Sequence, residues 1–341
     1  MQTAAQADGT TRQKHTRGPA IQNPLREGAM HLRNLALGVA ALTSAALMTN
    51  TVSAADNIRI ALIEPFSGPV AGIGRDTLEG FEFYIDRINA AGGVLGGRKL
   101  EVVPLDNVMN AEKTTQQLRK AIDMGIRYVS QGVGSNHALN IIKSLKKYNK
   151  RNPGKEVMYF NYSAVTTAFT NSLCMFWHFR FDHNVDQKVA ALTSFMGNDK
   201  DVKKVYMINQ NYAYGQSFQK AARKYLKERT PNATLVGDEL IVPFGKILDF
   251  TPYISKIKGS GADTVLTGNW GADASRLIAA GADAGLKVKY YSIYAGVPNA
   301  MKTMGTKVST FAPILQVTES HENDPSEPAW LIEIENDYLA K

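Results

Sequence analysis

The chain has 341 residues, 39 Lys/Arg against 31 Asp/Glu and a net charge of +8, with 44% hydrophobic residues. Cys174 is its only cysteine, which excludes an intramolecular disulfide framework, and no apolar run reaches the length of a bilayer span. In chain order, Arg33 precedes an apolar run from Leu35 to Met48, and Val52-Ser53-Ala54 offers small residues for cleavage before Ala55, the pattern of a secretory signal. The 29 residues before Met30 are polar without apolar periodicity, so Met30 is read as the true start and residues 1–54 as an upstream extension plus signal peptide. Removing them leaves 287 residues with 34 Lys/Arg against 29 Asp/Glu, a mild +5 that favours an anionic ligand or partner weakly. With no cysteine at the cleavage site to carry a lipid, the mature protein is expected to be soluble in a periplasm.

Ile58, Ile60, Leu62 and Ile63 form a short apolar strand, which Glu64-Pro65-Phe66-Ser67-Gly68-Pro69 cannot continue because two prolines remove donors. From Arg75 apolar residues recur at helical spacing until Asn89-Ala90-Ala91-Gly92-Gly93 stops the helix. Strands then follow at 100–105, 128–131 and 157–160, separated by helices at 111–124 and 137–148. That βαβ alternation predicts a parallel sheet. A second series begins with a helix at 185–196. It continues with strands at 202–208, 234–241, 264–266 and 290–293 and helices at 215–228, 250–258 and 272–284. Lys143, Lys146, Lys147, Lys150 and Arg151 form the densest basic cluster, at the end of an amphipathic helix where cations favour the helix dipole.

Open parallel sheets bind ligands beyond the carboxyl ends of their strands. That rule selects Ser67 after the first strand, Gly132 to His137 after the third, and Asn161 to Thr166 after the fourth. From the second series it selects Tyr212, Tyr214, Trp270 and Tyr294. Ser135 or Asn136 is expected to cap the following helix, where free amides and a hydroxyl suit a carboxylate; plain capping without a ligand is the competing reading.

The stretch from Ile58 to Asp106, with Ser67-Gly68-Pro69, Gly80, Asn89 to Gly93 and Asp106, resembles the start of the type I periplasmic substrate-binding proteins of ABC importers, specifically the branched-chain amino acid group. Tyr214-Gly215 and Ala279-Ala280-Gly281-Ala282-Asp283-Ala284-Gly285-Leu286 fit the same family. The resemblance implies an α/β fold of two Rossmann-like lobes with parallel sheets joined by a multi-strand hinge. It implies no cofactor, a small carboxylate ligand held in the interlobe cleft, membrane permease components as partners, and no nucleic acid. It places Ser67, Ser135, Asn136, Ser163 and Thr166 at the ligand carboxylate and Tyr214, Trp270 and Tyr294 over the ligand body.

By the same resemblance Ala295 stands where amino acid binders carry a glutamate for the ligand ammonium. Either Asp273 or a cage of Trp270, Tyr214 and Tyr294 takes the ammonium, or the ligand is an aromatic or apolar acid that has none. A ligand-sensing receptor domain on the same fold is the rival reading.

The expected organisation is a first lobe over 55–182, a second over 183–311 and a return toward the first over 312–341. Hinge crossings are expected near 175–182 and 312–320, and the C-terminal part reads as truncated. Enzyme readings find no support: Gly97-Arg98-Lys99-Leu100 lacks a phosphate-loop ending, Gly132-x-Gly134 lacks its third glycine, and no Gly-x-Ser-x-Gly, His-Glu-x-x-His or paired-cysteine motif occurs. His178 and His183 would face opposite sides of a continuing strand, which argues against a metal site with Asp182.

Overall fold

The computed structural model describes residues 56–242, 245–296, 298–306, 308, 313–318 and 326–341. The leader, Met30 and the cleavage positions lie outside the described residues.

The first sheet contains β1 (Ile58–Glu64), β2 (Leu100–Asp106), β3 (Tyr128–Ser130), β4 (Met158–Asn161) and β5 (His178–Arg180), in the order β2-β1-β3-β4-β5. Every pairing is parallel. The connections are α1 (Ala71–Ala90), α2 (Ala111–Asp123), α3 (Ser135–Arg151) and a short 3-10 turn at Thr167–Thr170. Ala61, Ile63, Val129 and Tyr159 point from the sheet into a core with Leu118 of α2 and Ile141 and Leu145 of α3. Inner strands covered by helices read as near-continuous apolar runs, and β1 to β4 are expected from the sequence, whereas β5, three residues of mixed character, is not.

After α4 (Val185–Asn198), the second sheet contains β6 (Lys204–Gln210), β7 (Thr234–Ile241), β8 (Thr264–Thr267), β9 (Lys289–Ser292) and β10 (Ile314–Gln316). Its order, β10-β9-β8-β6-β7, repeats the first sheet's plan: second strand, first, third, fourth, fifth. The connecting helices include α5 (Ala213–Arg229), α6 (Thr251–Ser260), α7 (Gly271–Asp283) and α8 (Pro298–Met304). Ile208, Val265 and Tyr290 pack with α6 and α7 on one face, and Val205, Met207, Leu266 and Tyr291 with α4 and α5 on the other. Val165, from the loop after β4, joins that latter cluster, so a side chain of the first lobe is buried in the second.

In each lobe a glycine sets how closely a helix docks on the end of its strand. A Cβ on Gly74 would lie 2.2 Å from the Pro65 carbonyl oxygen, and one on Gly215 would lie 1.7 Å from that of Gln210. Both distances are far inside van der Waals contact, so only glycine fits. The helix α1 begins at Ala71 and not at Arg75, because the Ala71 N–H donates to the Gly68 carbonyl at 3.1 Å and the Gly-Pro turn feeds directly into the helix.

The segment at 175–182 contributes β5, with Phe179 opposite Phe160, and the chain then enters α4 of the second lobe. There Lys188 Nζ pairs with Asp182 Oδ1 at 2.8 Å, both side chains buried. In the segment at 312–320, Ile314–Gln316 is a strand of the second sheet, paired with β9. The helix α9 (Ala329–Leu339) lies back on α1: Tyr338 meets the Phe83 ring edge-on at 5.2 Å, and Arg87 pairs with Asp337.

Candidate functional site

A cavity of about 590 Å³ opens at the carboxyl ends of both sheets, between the lobes. The first lobe contributes Pro69, Ile73 and Asp76 from the start of α1, Gly132 to Ser135 from the loop into α3, and Ser163 and Val165 from the loop after β4. From the second lobe come Tyr212 and Tyr214 at the start of α5, Trp270 to Ala272 and Ser275 at the start of α7, Tyr294, and Ala300 and Thr303 of α8.

The N-terminal ends of α3, α5 and α7 thus face one space, and in none of them does the N-cap residue's own side chain cap the helix, although Asn136 Oδ1 takes the Ala213 N–H of α5. Among the described residues, N-cap side chains close α2, through Asn110, and α4, through the Asn184–Gln187 capping box, neither of which lines the cavity. Uncapped first-turn amides leave partial positive charge at the cavity wall, a setting that favours an anion.

The aromatic wall is tied together. Trp270 Nε1 donates to Tyr212 Oη at 2.6 Å, and Tyr214 lies tilted between Tyr212 and Tyr294, with centroids 5.7 and 5.8 Å away. Gln210 Nε2, at the end of β6, donates to the Trp270 carbonyl at 3.1 Å and to Asp273 Oδ2 at 2.9 Å, fixing the start of α7. Tyr214 Oη is buried with no hydrogen-bond partner among the described residues. Burial pushes the Tyr214 phenol well above its ordinary range, so it stays protonated.

Of the residues singled out from sequence, Ser135, Ser163, Tyr214, Trp270 and Tyr294 line this cavity together. Three others are placed elsewhere. Ser67 is exposed, and its hydroxyl donates to Asp106 Oδ2 at 2.6 Å. Burial alone would raise the Asp106 carboxyl, but the Ser67 hydroxyl and the backbone N–H groups of Val108 and Phe66 outweigh it and hold it below its usual value. Asn136 lines a neighbouring cavity of about 220 Å³ with Met109, His137 and Asn211. Thr166 turns inward because Asn161 clamps Ala164, accepting its N–H at 2.7 Å and donating to its carbonyl at 2.8 Å, so Ser163 and Val165 face the cavity instead. Nor does Ser135 or Asn136 cap α3: Gly134, at φ +90°, is the N-cap, and Ser135 is the first helical residue.

Ile73 lies before Arg75, where the apolar periodicity begins, and Asp76 lies one turn into the helix and not in a loop at a strand end, so the strand-end rule selects neither. With α1 beginning at Ala71, Ile73 and Asp76 fall on one face at helical spacing, below Pro69 in the turn that precedes the helix.

A family model described as periplasmic binding protein matches residues 57–330. The chain belongs to the periplasmic binding protein family. Among curated relatives of this periplasmic binding protein, Leu/Ile/Val-binding protein homolog 4 of Brucella abortus is 34% identical over 255 residues, covering 74% of the chain and 60% of the relative. The chain therefore spans less than two thirds of the curated relatives it matches. Among solved structures, a leucine-, isoleucine-, valine-, threonine- and alanine-binding protein from Brucella ovis in a closed conformation aligns with a TM-score of 0.67 and 33% identity, covering 74% of this chain and 64% of that one. A solute-binding protein of an ABC transporter from R. palustris, in complex with 4-hydroxybenzoate, aligns with a TM-score of 0.62 at 23% identity, over 72% of this chain and 65% of that one, a likeness of fold. In this member of the family Ala295 is fully buried in an apolar cluster. Asp273 is committed, with Oδ2 accepting from Gln210 and from the Gly245 N–H at 2.8 Å; burial pushes its carboxyl above the usual carboxylate range and these bonds oppose the rise.

Proposed function

We propose that the chain carries the ligand-capturing cleft of an extracytoplasmic solute-binding protein serving an ABC importer, and that its ligand is a small carboxylate with an apolar body. The observation that carries this reading is the cavity itself, where three helix N-termini, those of α3 and α7 free of side-chain caps, and the hydroxyls of Ser135 and Ser163 meet the aromatic wall of Tyr214, Trp270 and Tyr294. Helix amides and hydroxyls receive the carboxylate, and the aromatic rings cover the body. Closing the lobes buries the ligand and presents one closed surface to permease components, with no covalent step. Membership in the periplasmic binding protein family supports this reading, as does a 34% identical relative named for leucine, isoleucine and valine. The leader adds the periplasm as the place of action.

A second reading, an aromatic or apolar acid without an ammonium group, is favoured by the burial of Ala295 among apolar side chains and by the prior engagement of Asp273. The Asp76 carboxylate on the cavity wall weighs the other way, since it offers an ammonium a countercharge from the first lobe. Thermal shift against leucine, valine, other amino acids, benzoate and cinnamate separates the two. A ligand at about 1,000 times its dissociation constant adds roughly 4 kcal/mol to stability. A response to leucine removes the second reading, and silence across the whole panel overturns the first.

A further inference from the structure

Behind the loop that carries Ser135 lies a carboxyl group with no evident part in holding a ligand directly. Glu64 ends β1 and is fully buried. Its Oε1 accepts three hydrogen bonds: from the Gly132 N–H at 2.6 Å, the Val133 N–H at 3.2 Å and the Tyr162 hydroxyl at 2.5 Å. Oε2, also buried, has no partner among the described residues. Gly132 and Val133 are wall residues of the cavity. A Cβ on Gly132 would sit 2.6 Å from both Ser163 Oγ and the Tyr162 ring, so the loop is held tightly from both sides. Glu64 therefore grips, from behind, the same stretch of backbone that a ligand meets from the front.

We propose that Glu64 is a positioning residue for anion capture and that it carries a proton in the loaded protein, so that taking up a carboxylate ligand is accompanied by uptake of one proton from solvent. The inference rests on the carboxylate reading of the cavity given above. In balance, the ligand anion, the ionised Glu64 and one solvent proton become a complex in which Glu64 is a neutral acid. Two carboxylates on either side of one peptide layer repel strongly in a water-poor site, and protonating one relieves the repulsion. A neutral acid keeps an acceptor oxygen for its three donors, so the loop retains its place while the charge disappears.

Burial, opposed by the bonds from Tyr162, Gly132 and Val133, pushes the ionisation of Glu64 up to about 7, where a neighbouring anion decides its state. The groups packed around it come from four elements. On β2, Asp106 stands opposite Glu64 in register and is held low, hence ionised. On and after β4, burial pushes Tyr159 and Tyr162 far upward. On α3, His137, bonded to Thr114, is pushed down to about 4 by burial and stays neutral. On α1, Thr77 accepts a long bond from Tyr162 at 3.4 Å, with Asp76 and Arg75 beside it in sequence.

The test is calorimetric titration of the full chain with leucine and with benzoate at about pH 6, 7 and 8.5, each in two buffers of different ionisation enthalpy. The expected result is uptake of close to one proton at the high pH and almost none at the low, with Kd rising up to roughly tenfold per pH unit above about 7. E64Q keeps an acceptor for the loop and is expected to bind with a flat profile and no proton uptake; H183Q, which removes an imidazole on the interlobe crossing, is expected to keep the wild-type profile. A probe that binds with a pH-independent Kd and no proton uptake overturns the inference and leaves the carboxylate reading standing. So does an E64Q profile as steep as wild type. If neither probe binds, the carboxylate reading fails and the inference falls with it. Should E64Q not fold, the two-buffer proton count on the wild-type chain decides alone.

Discussion

Asn136 Oδ1, on the first turn of α3, accepts the backbone N–H of Ala213 at the start of α5, 3.3 Å away, joining the two lobes beside the cavity. A net hydrogen bond of this kind contributes about 0.5–1.5 kcal/mol. Asn136→Ala is therefore expected to shift the ligand-free chain toward wider lobe separation and to weaken ligand capture by up to roughly tenfold. Small-angle scattering of the ligand-free variant reads the first effect and calorimetry the second. Unchanged dimensions and affinity would mean that the bond is incidental to closure.

Trp270 combines a large apolar face on the cavity with an indole N–H fixed to Tyr212. Replacing it with alanine removes the cover and frees the Tyr212 hydroxyl, at an expected cost of about 2–4 kcal/mol in binding. Trp270→Phe keeps an aromatic face but loses the bond, so its affinity should fall between the two. Measured dissociation constants in any other order would remove Trp270 from the contact surface.

Asp182 and Lys188 form a buried ion pair where the chain passes from β5 into the second lobe. Removing one partner strands a charge in low dielectric, so Asp182→Ala should destabilise the chain by about 3–5 kcal/mol. A double change to apolar residues of similar volume should recover much of that loss. Urea unfolding midpoints check both expectations, and a mild single variant with no recovery in the double would contradict them.

The pH dependence of stability contains two terms of opposite sign. Burial lowers His137 and His178 from an ordinary 6.5 to about 4, so the unfolded chain binds more protons between those values. Their contribution is complete above about pH 6.5 and is lost as pH falls toward 4. Glu64 is raised from 4.5 to about 7, so the native chain binds more protons in that window, and its contribution is lost as pH rises through it. Glu64→Gln should accordingly exceed wild type by roughly 2–3 kcal/mol at about pH 8 and match it near pH 4. Denaturant titrations at the two pH values measure the difference, and an equal gap at both would place the titration elsewhere.

Much of the architecture was legible because inner strands such as β1 and β8 are buried and therefore apolar over most of their length. The cavity was legible in outline, since the rule about strand ends needs only strand positions, and it brought Ser135, Ser163, Tyr214, Trp270 and Tyr294 to one place. Ser67 and Thr166 went astray for a different reason. Their environments depend on partners such as Asp106, 39 positions away, and on the Asn161 clamp, neither of which leaves a periodic trace in the sequence. Asp76 sits inside a helix and not in a loop at a strand end, so the strand-end rule does not reach it. Glu64 did carry a signal, a lone acid at the end of an apolar strand, but its three donors are 68 to 98 positions away.

The contact between α9 and α1 sets an order of assembly. Asp337 reaches Arg87 across 250 positions, whereas β1, β2 and β3 find one another through short crossovers. Closing so long a loop adds little at equilibrium, because its entropic cost grows only with the logarithm of length, but contacts of such separation form late. The first five strands can nucleate as soon as they are made, yet the helix that lies on α1 follows all five strands of the second sheet in the chain. The helix face of α1 is thus among the first made and is covered only later, by a segment that the second sheet separates from it in the chain.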